Sequence, residues 1–464
     1  MAKIMNRSKF IFFLLIFFLL VSACGPAQPA ANPGQPQVIT HPDGPLYAGD
    51  QVSFEVLAPA STKGHEASVE VKFDGKTLGS ASFAGFGLGG RNEAALWWVW
   101  NTGGLKPGPY TLTFTDASAE LTWDKTVSLL PADQVPPPEP QAHWAETTTV
   151  CCVLHYITGT GAARDITTLG HEADQQSDAI AAQLNFQLKT KIDVTLMPRV
   201  IGQGGFTTSS VYLSYLDGNY MGNEMPILFH HEFVHFYDGQ IGGEFRPSIF
   251  EEGLAVFLTG GHFKLELLRP RAAALLDLGW YIPLTQVAND FYNQQHDIGY
   301  LEAATVIQYL VETYGWSAFS QFYRSIPAPK NQKDSEVIDA ALQQHFQISF
   351  ADLESAYRTW LKATSFTESD RTDLRLTVQF FDTVRRYQKT LDPSAYFLTA
   401  WLPDGTVMRQ RSIVADLLRR PHNLDNRLLE PLFVQAWQAL AARRYAVCDG
   451  LLKLTNWILG LLGA

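Results

Sequence analysis

Leu228-Phe229-His230-His231-Glu232-Phe233-Val234-His235-Phe236-Tyr237 is an apolar run interrupted by three histidines and one carboxylate. On a helix, His231 and His235 stand four residues apart and project from one face, so their imidazoles can share one metal ion. Glu232 is rotated from His231 by about 100°. Its carboxylate cannot easily join the same coordination plane but can reach a water held there. Pro226 suits the first turn of such a helix, where a missing N–H costs nothing. Ile227, Leu228, Phe233, Val234 and Phe236 make the helix largely apolar, so it is expected to be buried with its histidines enclosed. Buried histidines need partners, and a metal supplies one.

A catalytic zinc site usually takes three protein ligands and leaves a fourth position open. The positions at which Gly and then His would extend the motif hold Asp238 and Ile241, which excludes a three-histidine set. Further on, Arg246-Pro247-Ser248-Ile249-Phe250-Glu251-Glu252-Gly253-Leu254-Ala255 reads as the start of a second helix. Glu252 is the candidate third ligand, and the small residues Gly253 and Ala255 are expected to let this helix approach the first closely. Glu251 could substitute for it or support it from behind.

His231-Glu232-Phe233-Val234-His235 followed by Glu252-Gly253-Leu254-Ala255 resembles the gluzincin metallopeptidases, and among them the bacterial MA-like peptidase group, in which Asn-Glu-Gly-x-Ala after the zinc helix carries the third ligand. Here Glu251 stands where relatives often have Asn. The likeness continues through Ile282-Pro283-Leu284, Tyr300-Leu301-Glu302-Ala303, Tyr309-Leu310-Val311, Tyr314-Gly315-Trp316 and residues 350–361, and covers about 145–364. It implies an α+β zincin-type domain that hydrolyses peptide bonds, with Zn²⁺ held by His231, His235 and Glu252 and with Glu232 moving a proton from water to the leaving amine. It also implies a donor to the oxyanion, for which Tyr300 is chosen, with Tyr281, Tyr292 and His296 in reserve. A tyrosine packed between helices fits position 300 equally well.

The rest of the chain is multidomain. With 464 residues, net charge −11 and no Lys/Arg-rich run beyond the extreme N-terminus, nucleic acid is excluded as a partner. Lys3, Arg7 and Lys9 precede the uncharged run 10–23 and then Cys24, which resembles a bacterial lipoprotein signal. That implies a signal peptide over 1–23, a membrane anchor through a lipid on Cys24, and a place in the cell envelope on the extracytoplasmic side. Residues 24–39, rich in Pro, Ala, Gln, Gly and Asn, read as a tether.

Short alternating runs over 40–130 (51–56, 67–73, 96–100, 110–114) predict an all-β, immunoglobulin-like sandwich. Strand alternation would put Trp98 and Trp100 on one face and Trp97 on the other, for core filling and packing on the next domain. Residues 131–142, with Pro136-Pro137-Pro138, read as a stiff extended linker. The peptidase-like domain is expected over 143–364, with strands at 147–156, 192–198 and 209–216 and a helix at 168–188, and a helical extension over 365–464. Strand 209–216 is a candidate edge for a peptide or protein substrate. Cys151-Cys152 near His155 reads as a buried or oxidised pair rather than a thiol nucleophile. His230 is expected to pack or to support a ligand, and Asp238 to orient a ligand histidine or face solvent. Two rival functions fit the same sequence: a non-catalytic surface-binding lipoprotein that keeps a zincin fold, and a hydrolase of non-peptide envelope amides. Nothing in the sequence sets an oligomeric state.

Overall fold

The computed structural model describes residues 36–58, 68–116, 120–222 and 224–463. The expected signal peptide, Cys24 and most of the tether lie outside them. The chain is rich in sheet at its N-terminal end and mostly helical after residue 215.

Nine strands come first: β1 (Gln37–His41), β2 (Leu46–Tyr47), β3 (Gln51–Leu57), β4 (Ser68–Phe73), β5 (Lys76–Ser82), β6 (Ala84–Phe86), β7 (Arg91–Asn101), β8 (Gly108–Asp116) and β9 (Leu121–Leu130). They form two sheets, β1-β3-β7-β6 and β2-β9-β8-β4-β5, and pack Val52, Phe54, Val56, Val69, Val71, Leu96, Trp100, Leu112 and Phe114 between them. Inward residues alternate along β4, β7, β8 and β9, as a half-buried pleat requires. The alternation breaks at Trp98, whose φ is 48° and whose N–H is taken by Ser53 Oγ at 2.7 Å, where the β3–β7 register shifts. The bulge turns Trp98 out of the sandwich core that holds Trp100. Trp98 and Trp97 instead meet at 5.5 Å between ring centres on the side facing the rest of the molecule, so the expected pairing of Trp98 with Trp100 is corrected. The strand β1 also starts at Gln37, inside the stretch read as tether. The proline-rich link carries two single 3-10 turns, 132–134 and 139–141, and is not uniformly extended.

A third sheet follows with order β10 (Trp144–Thr148), β11 (Cys152–Ile157), β12 (Ile192–Met197), β14 (Val211–Ser214) and β13 (Gly205–Thr207). The single strand expected at 147–156 is two antiparallel strands. Asp174 reverses the chain between them by accepting hydrogen bonds from Thr149 Oγ1 and the Cys151 N–H, each 2.8 Å. Cys151 and Cys152 form a disulfide there, which leaves no free thiol beside His155. The helix α1 (Gly161–Leu184) carries the chain from β11 to the parallel strand β12, as such a crossover needs. It starts on the Thr160 side chain and ends on Asn185 in a left-handed conformation.

The helical body comprises α2 (Met225–Ile241), α3 (Ser248–Thr259), α4 (Leu268–Leu278), α5 (Leu284–Asn289), α6 (His296–Tyr314), α7 (Trp316–Ser325), α8 (Asp334–Phe346) and α9 (Phe350–Lys362). One core joins it to the third sheet, through Leu196 and Leu213 on the strands, Phe229 and Phe233 on α2, and Leu254 on α3. Gly253 does not serve the α2 contact expected of it. A Cβ there would lie 2.6 Å from the Ala303 carbonyl, so the glycine lets α3 press on α6.

The last part, α10 (Glu368–Leu391), α11 (Gly405–Gln410), α12 (Ala415–Leu418), α13 (Leu424–Ala441) and α14 (Tyr445–Leu461), has a core of its own around Phe380, Phe433, Trp437 and Leu452. It also docks on the body, where Asp373 on α10 pairs with Arg271 and with Lys264, the latter at 2.7 Å. Trp401 stacks on His41 of the sandwich at 4.0 Å and Arg419 pairs with Asp50 at 2.6 Å, which ties the two ends of the chain together. Among the described residues no helix is long and apolar enough to cross a membrane.

Candidate metal centre

The apolar faces of α2 fix what its polar residues can do. Phe229, Phe233 and Val234 are sunk in the core, which leaves His231, Glu232 and His235 enclosed at the floor of a cleft of about 810 Å³. The chain leaves α2 through Gly242, turns, and enters α3 behind Pro247, which returns Glu252 to the histidines. His231 Nε2 and His235 Nε2 stand 3.1 Å apart, and Glu252 Oε2 lies 3.5 and 3.2 Å from them. Three acceptor-capable atoms so close together suit a small cation better than one another. Two imidazole nitrogens and one carboxylate oxygen form a set that zinc accepts at about 2.0–2.2 Å.

The electrostatics agree with that fit. Burial pushes the Glu252 carboxyl up, but the two histidines outweigh it and hold it well below the usual carboxylate range. Burial likewise disfavours charge on His235, yet Glu252 and then Glu232 raise it to about 10, so a proton stands where a cation would. The Glu232 carboxyl, unlike that of Glu252, is raised above its ordinary value, because burial outweighs both histidines and Thr207.

Residues around the cluster orient it. Tyr292 Oη donates to Glu252 Oε1 at 2.7 Å. Thr207 Oγ1 lies 2.8 Å from Glu232 Oε2 and 3.0 Å from the Glu232 carbonyl, pinning the carboxylate from strand β13. Gly205 on the same strand leaves room for it, because a Cβ would come 2.8 Å from Glu232 Oε1. On the opposite wall Tyr300 stacks on His262 at 4.1 Å, and its ring centre is 6.3 Å from that of His231. Burial and then Glu252 push the Tyr300 hydroxyl well above its ordinary pKa, so it keeps its proton. His296, one turn before it, faces Gln203 Nε2 at 3.0 Å through Nδ1. Burial and His231 hold His262 well below the ordinary imidazole value. His262 Nδ1 and His296 Nε2 have no hydrogen-bond partner among the described residues.

Several sequence expectations resolve differently. Glu251 turns to Arg246 at 2.9 Å and lies outside the ligand cluster. Tyr281 donates to Glu354 and does not line the cleft. His230 bonds Gln176 and Gln183 on α1 and acts in packing. Asp238 is buried with Tyr323, Arg324 and Arg246, so it neither orients a ligand nor faces solvent. Strand 209–216 cannot take a substrate on its edge, since β12 and β13 occupy both its sides; the free edge belongs to β13, beside Glu232.

Thr207 and His262 were not anticipated. His262 had a signal, because Gly260 and Gly261 stop α3 in conformations with φ of 79° and 156° and fold the chain back toward the site. Leu88 of the sandwich and Phe397 and Leu402 of the C-terminal part also line the cleft, so all three parts of the chain border it.

No family model matches the chain, and no curated protein is similar to it in sequence. Among solved structures, an aminopeptidase N family protein from Idiomarina loihiensis is similar at a distance: 10% identity, 70% of this chain and 76% of that chain covered, and a TM-score of 0.32.

Proposed function

We propose that the protein is an extracytoplasmic zinc-dependent metallopeptidase, held at a bacterial membrane through Cys24. The observation that carries the reading is the convergence of His231 Nε2, His235 Nε2 and Glu252 Oε2, with the Glu232 carboxylate beside them in an open cleft. A zinc ion held by those three residues would supply Lewis acidity to the scissile carbonyl and to a water. This chain's own residues supply the rest. Glu232 takes a proton from the water and delivers it to the leaving amine, and its pKa, raised by burial, suits both halves of that transfer. Thr207 keeps the carboxylate aimed. Tyr300, protonated, donates to the oxygen on which negative charge develops, with His262 stacked behind it. The free edge of β13 offers backbone groups to an extended peptide.

A purely structural zinc site needs only its ligands. The hydrogen bond that aims Glu232 therefore favours catalysis over a binding protein that merely keeps the fold. The test is hydrolysis of a broad peptide panel by the zinc-loaded protein and by Glu232→Gln. The variant is expected to keep one zinc and to lose activity by about 10³-fold or more, the upper range for a general base. Equal inertness of both zinc-loaded proteins, or equal activity, would overturn the reading.

A further inference from the structure

We propose that the outer face of the α13–α14 hairpin is a lipid-binding surface that lays the protein on an anionic membrane. Eleven large apolar side chains are exposed among the described residues, and six belong to this hairpin: Leu424, Leu428, Val447, Leu454, Trp457 and Leu461. On α14 the exposed residues recur at steps of seven, three and four, one stripe of a helix, while Cys448, Leu452, Thr455 and Leu459 bury the opposite side in the C-terminal core. The helices are joined by residues 442–444 and pack together, so the start of α13 lies beside the end of α14. That places Leu424 and Leu428 at the same end of the hairpin as Trp457 and Leu461. Trp457 is 56% exposed, a large cost for a side chain that water is meant to surround.

Two observations choose the occupant. The hairpin carries seven charged residues; the exposed ones, Arg427, Arg443, Arg444 and Lys453, are all cations, while Asp425, Glu430 and Asp449 are half-buried or buried, Asp449 pairing with Lys453 at 2.6 Å. In a chain of net charge −11 this is a local reversal of sign. An apolar stripe flanked by cations, with an aromatic at its edge, is the pattern of a helix lying in a phospholipid interface.

The second observation is where the chain enters. Asp43 accepts from Ser394 at 2.7 Å, and Asn426 donates to the carbonyl of Leu391 at 3.0 Å, so the start of the sandwich and the start of α13 both attach at residues 391–394 and lie near one another. The thirteen residues 24–36 span at most about 45 Å. A lipid on Cys24 and this face can therefore reach one membrane together, and two weak signals hold where one does not.

The inference rests on the tether in the proposed function, and its test separates the two. Attachment of labelled fatty acid to Cys24 in the wild type reports the tether alone. The hairpin is tested by flotation of the full mature chain carrying Cys24→Ser with vesicles of equimolar phosphatidylglycerol and phosphatidylcholine. The protein is expected to float with these vesicles, to stay behind with phosphatidylcholine alone, and to lose at least tenfold in partitioning when Trp457→Ala and Leu461→Ser are combined. Both side chains are exposed, so the double variant is expected to keep its melting temperature and its peptide hydrolysis. Absence of flotation with the anionic vesicles, or unchanged flotation of the double variant, would overturn the proposal. So would a dimer in solution that the same substitutions dissociate, since a second copy would then cover the face.

Discussion

Thr207 shows how little of the site rests on the motif alone. Its hydroxyl is 2.8 Å from the carboxylate oxygen of Glu232, the group on which the proposed proton transfer depends. Thr207→Val keeps the shape and removes the hydrogen bond. The expected result is a fall in kcat of about tenfold, the size of one lost second-layer contact, with KM and zinc content unchanged. Steady-state kinetics beside a metal assay would check it, and a parallel loss of zinc would show that Thr207 holds the site together instead of aiming Glu232. The histidine pair was legible in the sequence because four-residue spacing on a helix places His231 and His235 on one face whatever surrounds them. Thr207 was not legible, since a short edge strand 25 residues away meets Glu232 only once the sheet is built.

The helices α3 and α6 pack against each other and carry neighbouring parts of the site, with Glu252 on one and His296 and Tyr300 on the other. Gly253 sets their separation. Its Cβ would meet the Ala303 carbonyl carbon at 2.7 Å and oxygen at 2.6 Å, backbone atoms that cannot swing aside. Gly253→Ala is therefore expected to lower stability by about 2 kcal/mol, within the usual cost of overpacking, although alanine is the better helix former. Because the strain falls next to Glu252, zinc affinity is expected to drop as well. Chemical denaturation and a metal competition titration would check both, and a neutral or stabilising effect would mean that the helices can part freely. The small residue was visible in the sequence, but its partner was not. The apolar period of α3 fixes which face is buried and is silent on which of two neighbouring helices receives the glycine. The single strand expected at 147–156 has a related cause, because the reversal there is made by Asp174 from α1 and not by a local turn signal.

At the scale of the whole molecule, the alternating runs of the sheet-rich part and the helical periods were legible, while the seam that joins the two ends of the chain was not. Trp98 and Asp416 are separated by more than 300 residues, and nothing local announces that they meet. Trp98 Nε1 donates to Asp416 Oδ2 at 2.9 Å, but Oδ1 is buried with no hydrogen-bond partner. Burial lifts the Asp416 carboxyl from 3.8 to about 7, against the pull of Trp98 and then Arg199. A carboxyl whose pKa is higher in the folded than in the unfolded chain stabilises the fold while protonated. That contribution is fully present below about pH 4 and is lost as pH rises toward 7, and Asp392, lifted to about 6 at the same seam, acts in the same sense. Asp416→Asn imitates the protonated form and keeps an acceptor for Trp98. The variant is expected to match the wild type near pH 4 and to exceed it by about 2–4 kcal/mol at pH 8, the free energy of a shift of this size. Thermal or urea unfolding across that range would measure the difference. If Asn were destabilising by the same amount at every pH, Asp416 would be ionised throughout, and Arg199 and Arg419 would hold the seam as ion-pair partners in place of a shared proton.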